Sequence, residues 1–297
     1  MKKTYTSILF SLVLLLLVSC GNDSNKDTSA PINPNSPTTT SPTPTSDTTT
    51  TPDQTTLAPS TTSDTPPPTT VSSSASIDVL VLYDASAQNS YSNIHARINH
   101  LFAVSNNIYK DSQLNVTIHA KEILFYDAKN YPALEEIASS SAVHALREQY
   151  KADTVLLYQV NPDGEYGLCG SAYSAESYAE LNHFKDAMYA NVAINCPSDS
   201  TAHEIGHNMG LLHSHKQDGN NVKPYSYGLG HAIEGQFATI MAYAHVFNTD
   251  NQIAKFSSPE YECIPGFPCG IPIGQNGEAH ATKVIEVTAP KIANIYP

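Results

Sequence analysis

Alternating apolar and polar stretches in the second two-thirds of the chain predict alternating strands and helices. Residues 77–83, 114–126 and 154–160 are predicted as strands, and the last is so continuously apolar that it belongs at a buried sheet centre. Residues 189–195 are predicted as a strand at the sheet edge. Because helical patterns separate the strands, the crossovers should be right-handed and the sheet mostly parallel. The expected fold class is α/β.

Apolar residues at helical spacing predict the helices that connect and follow these strands. The helix after the first strand should carry its apolar positions at Ile94, Ile98, Leu101, Phe102, Ala103 and Ile108. Further helices are expected over residues 132–150, about 200–209 and about 278–295. Pro290 lacks a backbone N–H, so we expect it to kink or divide the last helix.

The N-terminus has the features of a bacterial export signal. Lys2 and Lys3 precede an apolar stretch, residues 8–18, which is short for a membrane span. Residues 17–20, Leu-Val-Ser-Cys, resemble a lipobox, so residues 1–19 are predicted to be a lipoprotein signal peptide. Lipidation of Cys20 would then anchor the protein at the bacterial outer membrane or cell surface. Ordinary secretion with an unmodified Cys20 is the alternative.

Residues 20–76 consist almost entirely of Thr, Ser, Pro, Asp and Asn. Such a segment buries too little apolar surface to offset the entropy of ordering it, and we predict a disordered tether. Residues 77–297 suit one globular domain, expected to be monomeric.

The charge of the chain argues against nucleic acid as a partner. Asp and Glu number 28 against 15 Lys and Arg, giving a formal net charge of −13. Binding to a phosphate backbone requires a cationic surface.

The cysteines fit an oxidising compartment. Setting Cys20 aside leaves Cys169, Cys196, Cys263 and Cys269, an even number that predicts two disulfides. Cys263 and Cys269 should close a small loop, which leaves Cys169 to pair with Cys196. A second zinc site is the alternative, but the usual paired C-x-x-C spacing is missing.

The strongest chemical signal is the sequence His-Glu-Ile-Gly-His-Asn-Met-Gly-Leu-Leu-His at residues 203–213. On a helix His203 and His207 lie one turn apart on one face and can bind one metal ion. Gly210 can end the helix, so that His213 supplies a third ligand from outside it. Three protein nitrogens leave one zinc position open, which is typical of a catalytic site. His215 is a less well spaced alternative to His213.

This extended motif resembles that of the metzincin zinc metallopeptidases. Met241, in the stretch Ala-Thr-Ile-Met-Ala-Tyr, resembles the methionine that these enzymes place in a tight turn beneath the metal. Residues 77–83, 169–173 and 256–259 are similar to the reprolysin-like branch, and in it to bacterial proteins of the peptidyl-Asp metallopeptidase type. The resemblance implies a zincin-like α+β domain with a twisted sheet, an active-site helix, a methionine turn and a C-terminal helix. Many reprolysins have Asp directly after the third histidine, whereas this chain has Ser214 at that position.

The resemblance also implies a function. Glu204 would act as general base toward the attacking water beside one catalytic zinc ion, in an endopeptidase that takes protein or peptide substrates. Tyr243 stands two residues after Met241, where some metzincins have a tyrosine that approaches the metal, and it could stabilise the tetrahedral intermediate. The alternative for Tyr243 is a buried structural role. Alternatives for the protein are a catalytically inactive surface adhesin or binding protein and a zinc amidase.

Overall fold

The computed structural model of this protein describes residues 16–20, 74–163, 168–174, 184–218 and 224–297. Of the first of these segments only the backbone is described. The predicted tether therefore lies almost wholly outside the described residues, as does most of the predicted signal peptide.

The strands are β1 (Leu16–Cys20), β2 (Ala75–Tyr83), β3 (Val116–Phe125), β4 (Thr154–Gln159), β5 (Gly170–Ser174), β6 (Tyr189–Ala193), β7 (Leu212–Ser214), β8 (Leu229–Gly230), β9 (Ala232–Ile233), β10 (Phe237–Thr239), β11 (Gln252–Ile253), β12 (Glu262–Ile264) and β13 (Phe267–Pro268). The helices are α1 (Ala85–Ser90), α2 (Ile94–Asp111), α3 (Leu134–Ser139), α4 (Ser141–Tyr150), α5 (Phe184–Ala187), α6 (Ser200–Asn208), α7 (His215–Asp218) and α8 (Ala281–Ile292). A 3-10 turn covers Ala244–Phe247.

The main sheet has six strands in the order β1-β5-β6-β4-β2-β3. Strands β3, β2, β4 and β6 are parallel to one another, whereas β5 runs antiparallel to β6 and β1 antiparallel to β5. The predicted α/β fold with a mostly parallel sheet is confirmed. Every residue of β4 is buried, because the strand lies between β2 and β6, and this confirms its predicted central place.

The prediction that residues 189–195 form an edge strand is wrong. Strand β6 pairs with β4 on one side and with β5 on the other. Strand β5 was not predicted, because its sequence Gly-Ser-Ala-Tyr-Ser contains few residues that favour strands. Both this antiparallel strand and β6 pack against the active-site helix α6.

The helix predicted over residues 132–150 is two helices. Ser140 adopts an extended backbone conformation between α3 and α4, and its hydroxyl accepts a hydrogen bond from the Val143 amide. A serine that caps a new helix competes with continuation of the preceding one. The short helix α1 was also not predicted, and Ala103, predicted on the apolar face of α2, is exposed.

Two segments extend the sheet beyond the predicted start of the domain. Strand β2 begins at Ala75, whose side chain is buried, two residues before the predicted boundary. Leu16–Cys20, predicted as the end of the signal peptide and the lipobox, lies on the outer edge of β5. The export signal, its cleavage and the lipidation of Cys20 stay predictions.

The C-terminal part is fixed by short strands, one disulfide and the last helix. Cys263–Cys269 closes the β12–β13 hairpin, and Cys169–Cys196 joins the start of β5 to the segment after β6. Helix α8 runs through Pro290 without dividing. Among the described helices, none is both long and apolar enough to cross a membrane.

Candidate metal centre and active site

The helix that carries the first two predicted ligands ends where the sequence predicts. Gly210 has φ +94°, a conformation that glycine adopts at low cost, and its amide donates to the His207 carbonyl. The Leu211 amide in turn donates to the Gly206 carbonyl at 3.0 Å. These bonds stop α6 and turn the chain into β7, which carries His213.

The three predicted ligands converge. The Nε2 atom of His203 lies 3.1 Å from Nε2 of His207 and 3.3 Å from Nε2 of His213. All three side chains are buried, with 7%, 0% and 3% of their surface exposed. Among the described residues no other group of three or more His, Cys, Asp or Glu side chains has the geometry to hold a metal ion.

Each imidazole is oriented through its other nitrogen. Nδ1 of His203 lies 2.7 Å from the Ile240 carbonyl oxygen, and Nδ1 of His207 lies 2.9 Å from the Leu211 carbonyl oxygen. Nδ1 of His213 lies 3.2 Å from a carboxylate oxygen of Asp218. Because each of these partners is an acceptor, Nδ1 carries the proton, and each Nε2 turns a lone pair toward the common centre.

The protonation state also suits metal binding. Burial, with a smaller contribution from the neighbouring His213, lowers the pKa of His203 to about 3. Burial likewise lowers the pKa of His207 well below its usual range. Neutral imidazoles are the form that binds metal.

The spacing of these nitrogens fits Zn²⁺. Ligands held tetrahedrally at about 2.0–2.1 Å from zinc are about 3.3–3.4 Å apart. The two Nε2 separations in this site are 3.1 and 3.3 Å. Three imidazoles leave one position open, which is the pattern of catalytic rather than structural zinc.

Glu204 lies between the ligand histidines and the edge of the sheet. Its side chain is 1% exposed, and a Cβ atom added to Gly170 would lie 2.4 Å from its Oε1 atom. A side chain at position 170 would therefore collide with the carboxylate. Glycine lets the backbone of β5 pass directly beside Glu204, where an extended peptide could reach both.

Met241 lies beneath the site and orients it through the backbone of its turn. The Ala242 amide donates to the Thr239 carbonyl at 2.8 Å, and this turn presents the Ile240 carbonyl to His203. The Met241 side chain is fully buried, and its sulfur lies 3.0 Å from where a Cβ of Gly206 would be. Gly206 therefore lets the turn approach α6 closely.

Tyr243 follows the same turn and reaches the ligand cluster. Its hydroxyl is 2.9 Å from Nε2 of His213, and its ring stacks on His203 with an interplanar angle of 21°. The backbone amide of Tyr243 donates to the Gln217 side chain, which fixes the residue against the helix after β7. The hydroxyl is thus placed at the face where the histidine nitrogens converge.

Two polar residues of α6 attach the helix to the sheet. The side-chain amide of Asn208 donates to the carbonyls of Tyr173, Ala187 and Tyr189 at 2.8 to 3.1 Å. On the preceding turns the Thr201 hydroxyl lies 2.8 Å from the hydroxyl of Tyr158 in β4. These bonds fix the position of the metal ligands relative to strands β5 and β6.

The structure brings together six of the residues proposed from the sequence: His203, Glu204, His207, His213, Met241 and Tyr243. His215, the alternative ligand, instead places Nε2 2.9 Å from the Glu278 carbonyl oxygen. Asp218 was not predicted, although it supplies the carboxylate partner of His213. A His-x4-Asp spacing is too common to single out in a sequence, because only the turn into α7 brings the two together.

The histidine pKa values predict how the metal-free protein responds to acid. A histidine whose pKa is lowered on folding destabilises the folded state as pH falls below its unfolded pKa of about 6.5. The melting temperature of the chelated protein should therefore fall between about pH 6.5 and 3. His203→Gln should make this fall shallower, because it removes one of the two rings whose pKa burial lowers. A pH slope for His203→Gln equal to that of the wild type would contradict the assigned burial effect.

Asp218 is predicted to raise the zinc affinity of the site by fixing His213. Asp218 accepts from both the backbone amide and the ring of His213, at 2.7 and 3.2 Å. Asp218→Asn should weaken zinc binding about 10- to 100-fold in competition with a chromogenic chelator. Asp111→Asn, an exposed substitution on α2, is the matched control. Unchanged affinity in Asp218→Asn would show that the ring is held without the carboxylate.

Comparison with known proteins agrees with this geometry. The family profile Reprolysin_5, described as Metallo-peptidase family M12, matches residues 73–257. A peptidyl-Asp metalloendopeptidase of Pseudomonas aeruginosa PAO1 is 31% identical over 246 residues, which are 74% of this chain and 40% of that protein. This chain thus spans less than half the length of that relative.

A solved structure also shares the fold. One chain of a structure described as a chaperone-substrate complex aligns with a TM-score of 0.58 at 23% identity, covering 75% of this chain and 39% of that chain. The family match covers strands β2 to β6 of the sheet, the histidine cluster and the methionine turn. The chain therefore belongs to metallopeptidase family M12, as a reprolysin-like member of the metzincins.

Proposed function

We propose that this chain is a zinc-dependent endopeptidase, tethered outside the bacterial cytoplasm by a lipid on Cys20. The observation that carries the catalytic part is the convergence of three buried histidine Nε2 atoms beside a buried glutamate. Membership of a metallopeptidase family and the name of the Pseudomonas relative support the same activity. The anchoring part rests on the sequence of residues 1–20 alone.

His203, His207 and His213 would hold the zinc. When bound, zinc polarises the scissile carbonyl and makes water a stronger nucleophile at neutral pH. The protein contributes the fixed orientation of the three rings, through the Ile240 and Leu211 carbonyls and Asp218. Because these acceptors are already in place, the site needs little rearrangement to bind its metal.

Glu204 moves the proton. Its carboxylate lies beside the backbone of Gly170. A peptide bound along the outer edge of β5, in the position that Leu16–Cys20 takes in this structure, would have its bond next to this carboxylate. Glu204 would accept a proton from the attacking water and then deliver it to the leaving amine. The buried setting excludes bulk water from this transfer.

Tyr243 supplies a further hydrogen-bond donor. Its hydroxyl is 2.9 Å from Nε2 of His213, so it would be near the carbonyl oxygen of a substrate that approaches the zinc. The turn that carries Met241 and the contact with Gln217 set the position of the ring. We assign Tyr243 to stabilisation of the tetrahedral intermediate.

Glu204→Gln is the principal test of the proposed activity. Because the amide cannot accept the proton, cleavage of casein or of a peptide library should fall by at least about 100-fold in kcat/KM. Zinc content, measured by mass spectrometry of the metal, should stay at one ion per chain. Glu262→Gln, an exposed carboxylate on β12, is the matched control and should cleave normally. Normal turnover by Glu204→Gln would overturn the assignment of the base, and no turnover by the zinc-loaded wild type would favour a non-catalytic binding protein.

Tyr243→Phe separates a catalytic role from a packing role. Loss of one donor to a developing oxyanion lowers kcat about 100-fold in comparable sites, and KM should change little. Tyr83→Phe, whose ring packs at the far edge of the sheet against Phe125, serves as the control. An unchanged kcat with a lowered melting temperature would instead assign Tyr243 a structural role.

A further inference from the structure

The peptide unit between Ala242 and Tyr243 is held from both sides by glutamine side chains. Its N–H group, that of Tyr243, donates to the Oε1 atom of Gln217 at 3.1 Å. Its carbonyl oxygen, that of Ala242, accepts a hydrogen bond from Nε2 of Gln252 at 3.1 Å. The two glutamines belong to α7 and β11, which precede and follow the methionine turn in the chain. Both polar groups of this peptide unit are therefore bound to side chains from outside the turn.

The backbone of Tyr243 is fixed on its other side as well. Its carbonyl oxygen accepts a hydrogen bond from the Val246 amide at 3.1 Å, within the 3-10 turn. A Cβ atom added to Gly230 in β8 would lie 2.4 Å from the Met241 carbonyl carbon, so this strand passes directly against the methionine turn. Because peptide units are planar, bonds to the units on both sides of a residue fix the direction of its Cα–Cβ bond. These contacts therefore set the direction in which the Tyr243 side chain leaves the turn.

The side-chain amide of Gln217 faces Tyr243 with its oxygen. A backbone N–H group only donates, and in an amide side chain only the oxygen accepts. The same oxygen lies 2.7 Å from the hydroxyl of Ser214, which therefore donates to it. Two donors from different segments thus orient Gln217. Ser214, the residue at which this chain differs from many reprolysins, takes part in holding Gln217 against the turn.

Helix α7 supports the site at two points. Asp218 accepts hydrogen bonds from the backbone amide and the ring of His213. Gln217, the residue before it, accepts the Tyr243 amide. One short helical turn therefore fixes both the third predicted metal ligand and the tyrosine whose hydroxyl lies 2.9 Å from that ligand. The two neighbouring side chains divide the task, because Asp218 contacts the ligand and Gln217 contacts the tyrosine.

We propose that Gln217 is a positioning residue for the reaction, which holds the Tyr243 hydroxyl in place beside His213 by binding the Tyr243 amide. The proposal rests on the proposed peptidase function and deepens it, because it names the side chain that places the oxyanion donor. Groups of this kind act only when they are held within about 0.5 Å of the productive position. Loss of the support should therefore lower kcat, while the binding of substrate and of zinc should change little.

Two substitutions of Gln217 test whether its acceptor oxygen matters. Gln217→Met keeps the length of the side chain without the acceptor, and in the zinc-loaded full chain it should lower kcat at least about 10-fold with KM within about 2-fold. Gln217→Glu keeps an acceptor oxygen and should retain kcat within about 3-fold of the wild type. Gln88→Met, an exposed substitution on α1, is the matched control. An unchanged kcat in Gln217→Met, or a Gln217→Glu variant that is equally slow, would overturn the proposal.

A double variant separates positioning from general damage to the site. In Tyr243→Phe protein no hydroxyl remains to be placed. Adding Gln217→Met to this background should therefore change kcat by less than about 2-fold, because residues that act through one contact have non-additive effects. Losses that add in the double variant would show that Gln217 acts by a route other than Tyr243, and would overturn the proposal.

Zinc affinity distinguishes support of Tyr243 from support of α7 as a whole. Because Asp218 and not Gln217 contacts a predicted ligand, Gln217→Met should keep zinc affinity within about 3-fold of the wild type in competition with a chelator. A loss as large as that expected for Asp218→Asn would show that the substitution disrupts α7, and would overturn a specific role toward the tyrosine.

A spectroscopic measurement keeps this proposal separate from the proposed function. In fluorine NMR of the full chain labelled with fluorotyrosine, the resonance that is missing from Tyr243→Phe belongs to Tyr243. Gln217→Met should shift or broaden this resonance, and Gln88→Met should leave it in place. Such a shift would support the positioning role even if the wild type cleaved nothing, an outcome that would reject only the peptidase function. A resonance that Gln217→Met does not move would overturn the positioning role whether or not cleavage occurs.

Discussion

The hydrogen bond that each ligand histidine makes through Nδ1 is the constraint on which the rest of this site depends. A histidine ring has two nitrogens, Nδ1 and Nε2. The hydrogen-bond partner of Nδ1 fixes the orientation of the ring and therefore the direction in which Nε2 points. Here the partners are the Ile240 carbonyl, the Leu211 carbonyl and the Asp218 carboxylate. They belong to three different segments, so the metal centre exists only when the methionine turn, the helix end and the turn into α7 are all in place.

The same dependence explains the glycines around the site. Gly210 turns the chain so that Leu211 faces His207, and Gly206 lets the methionine turn approach the helix. Gly170 lets the backbone of β5 pass against Glu204. In each case a Cβ atom would strain the backbone or collide with a neighbouring residue of the site. Glycine is therefore needed at these positions for close packing or for a positive φ, and not for flexibility.

Burying three imidazoles without a metal lowers the stability of the folded protein. Hydrogen bonds that attach helix α6 to the sheet offset part of this loss. Asn208 donates to three backbone carbonyls of β5 and its neighbours, and Thr201 contacts Tyr158 in the central strand. The ligands are therefore held rigidly enough to bind one metal at a defined spacing.

The sequence by itself determined the class of fold, and it singled out the three histidines and the glutamate that the structure brings together, because each depends on local spacing. Histidines four apart share a helix face whatever surrounds them, and a continuous apolar strand such as β4 belongs inside a sheet. Only the tertiary structure decided that β5 passes beside Glu204 and that Asp218 orients His213. These contacts join residues from segments that are far apart in the sequence. Such contacts leave no periodic pattern of apolar and polar residues, so a single sequence does not reveal them.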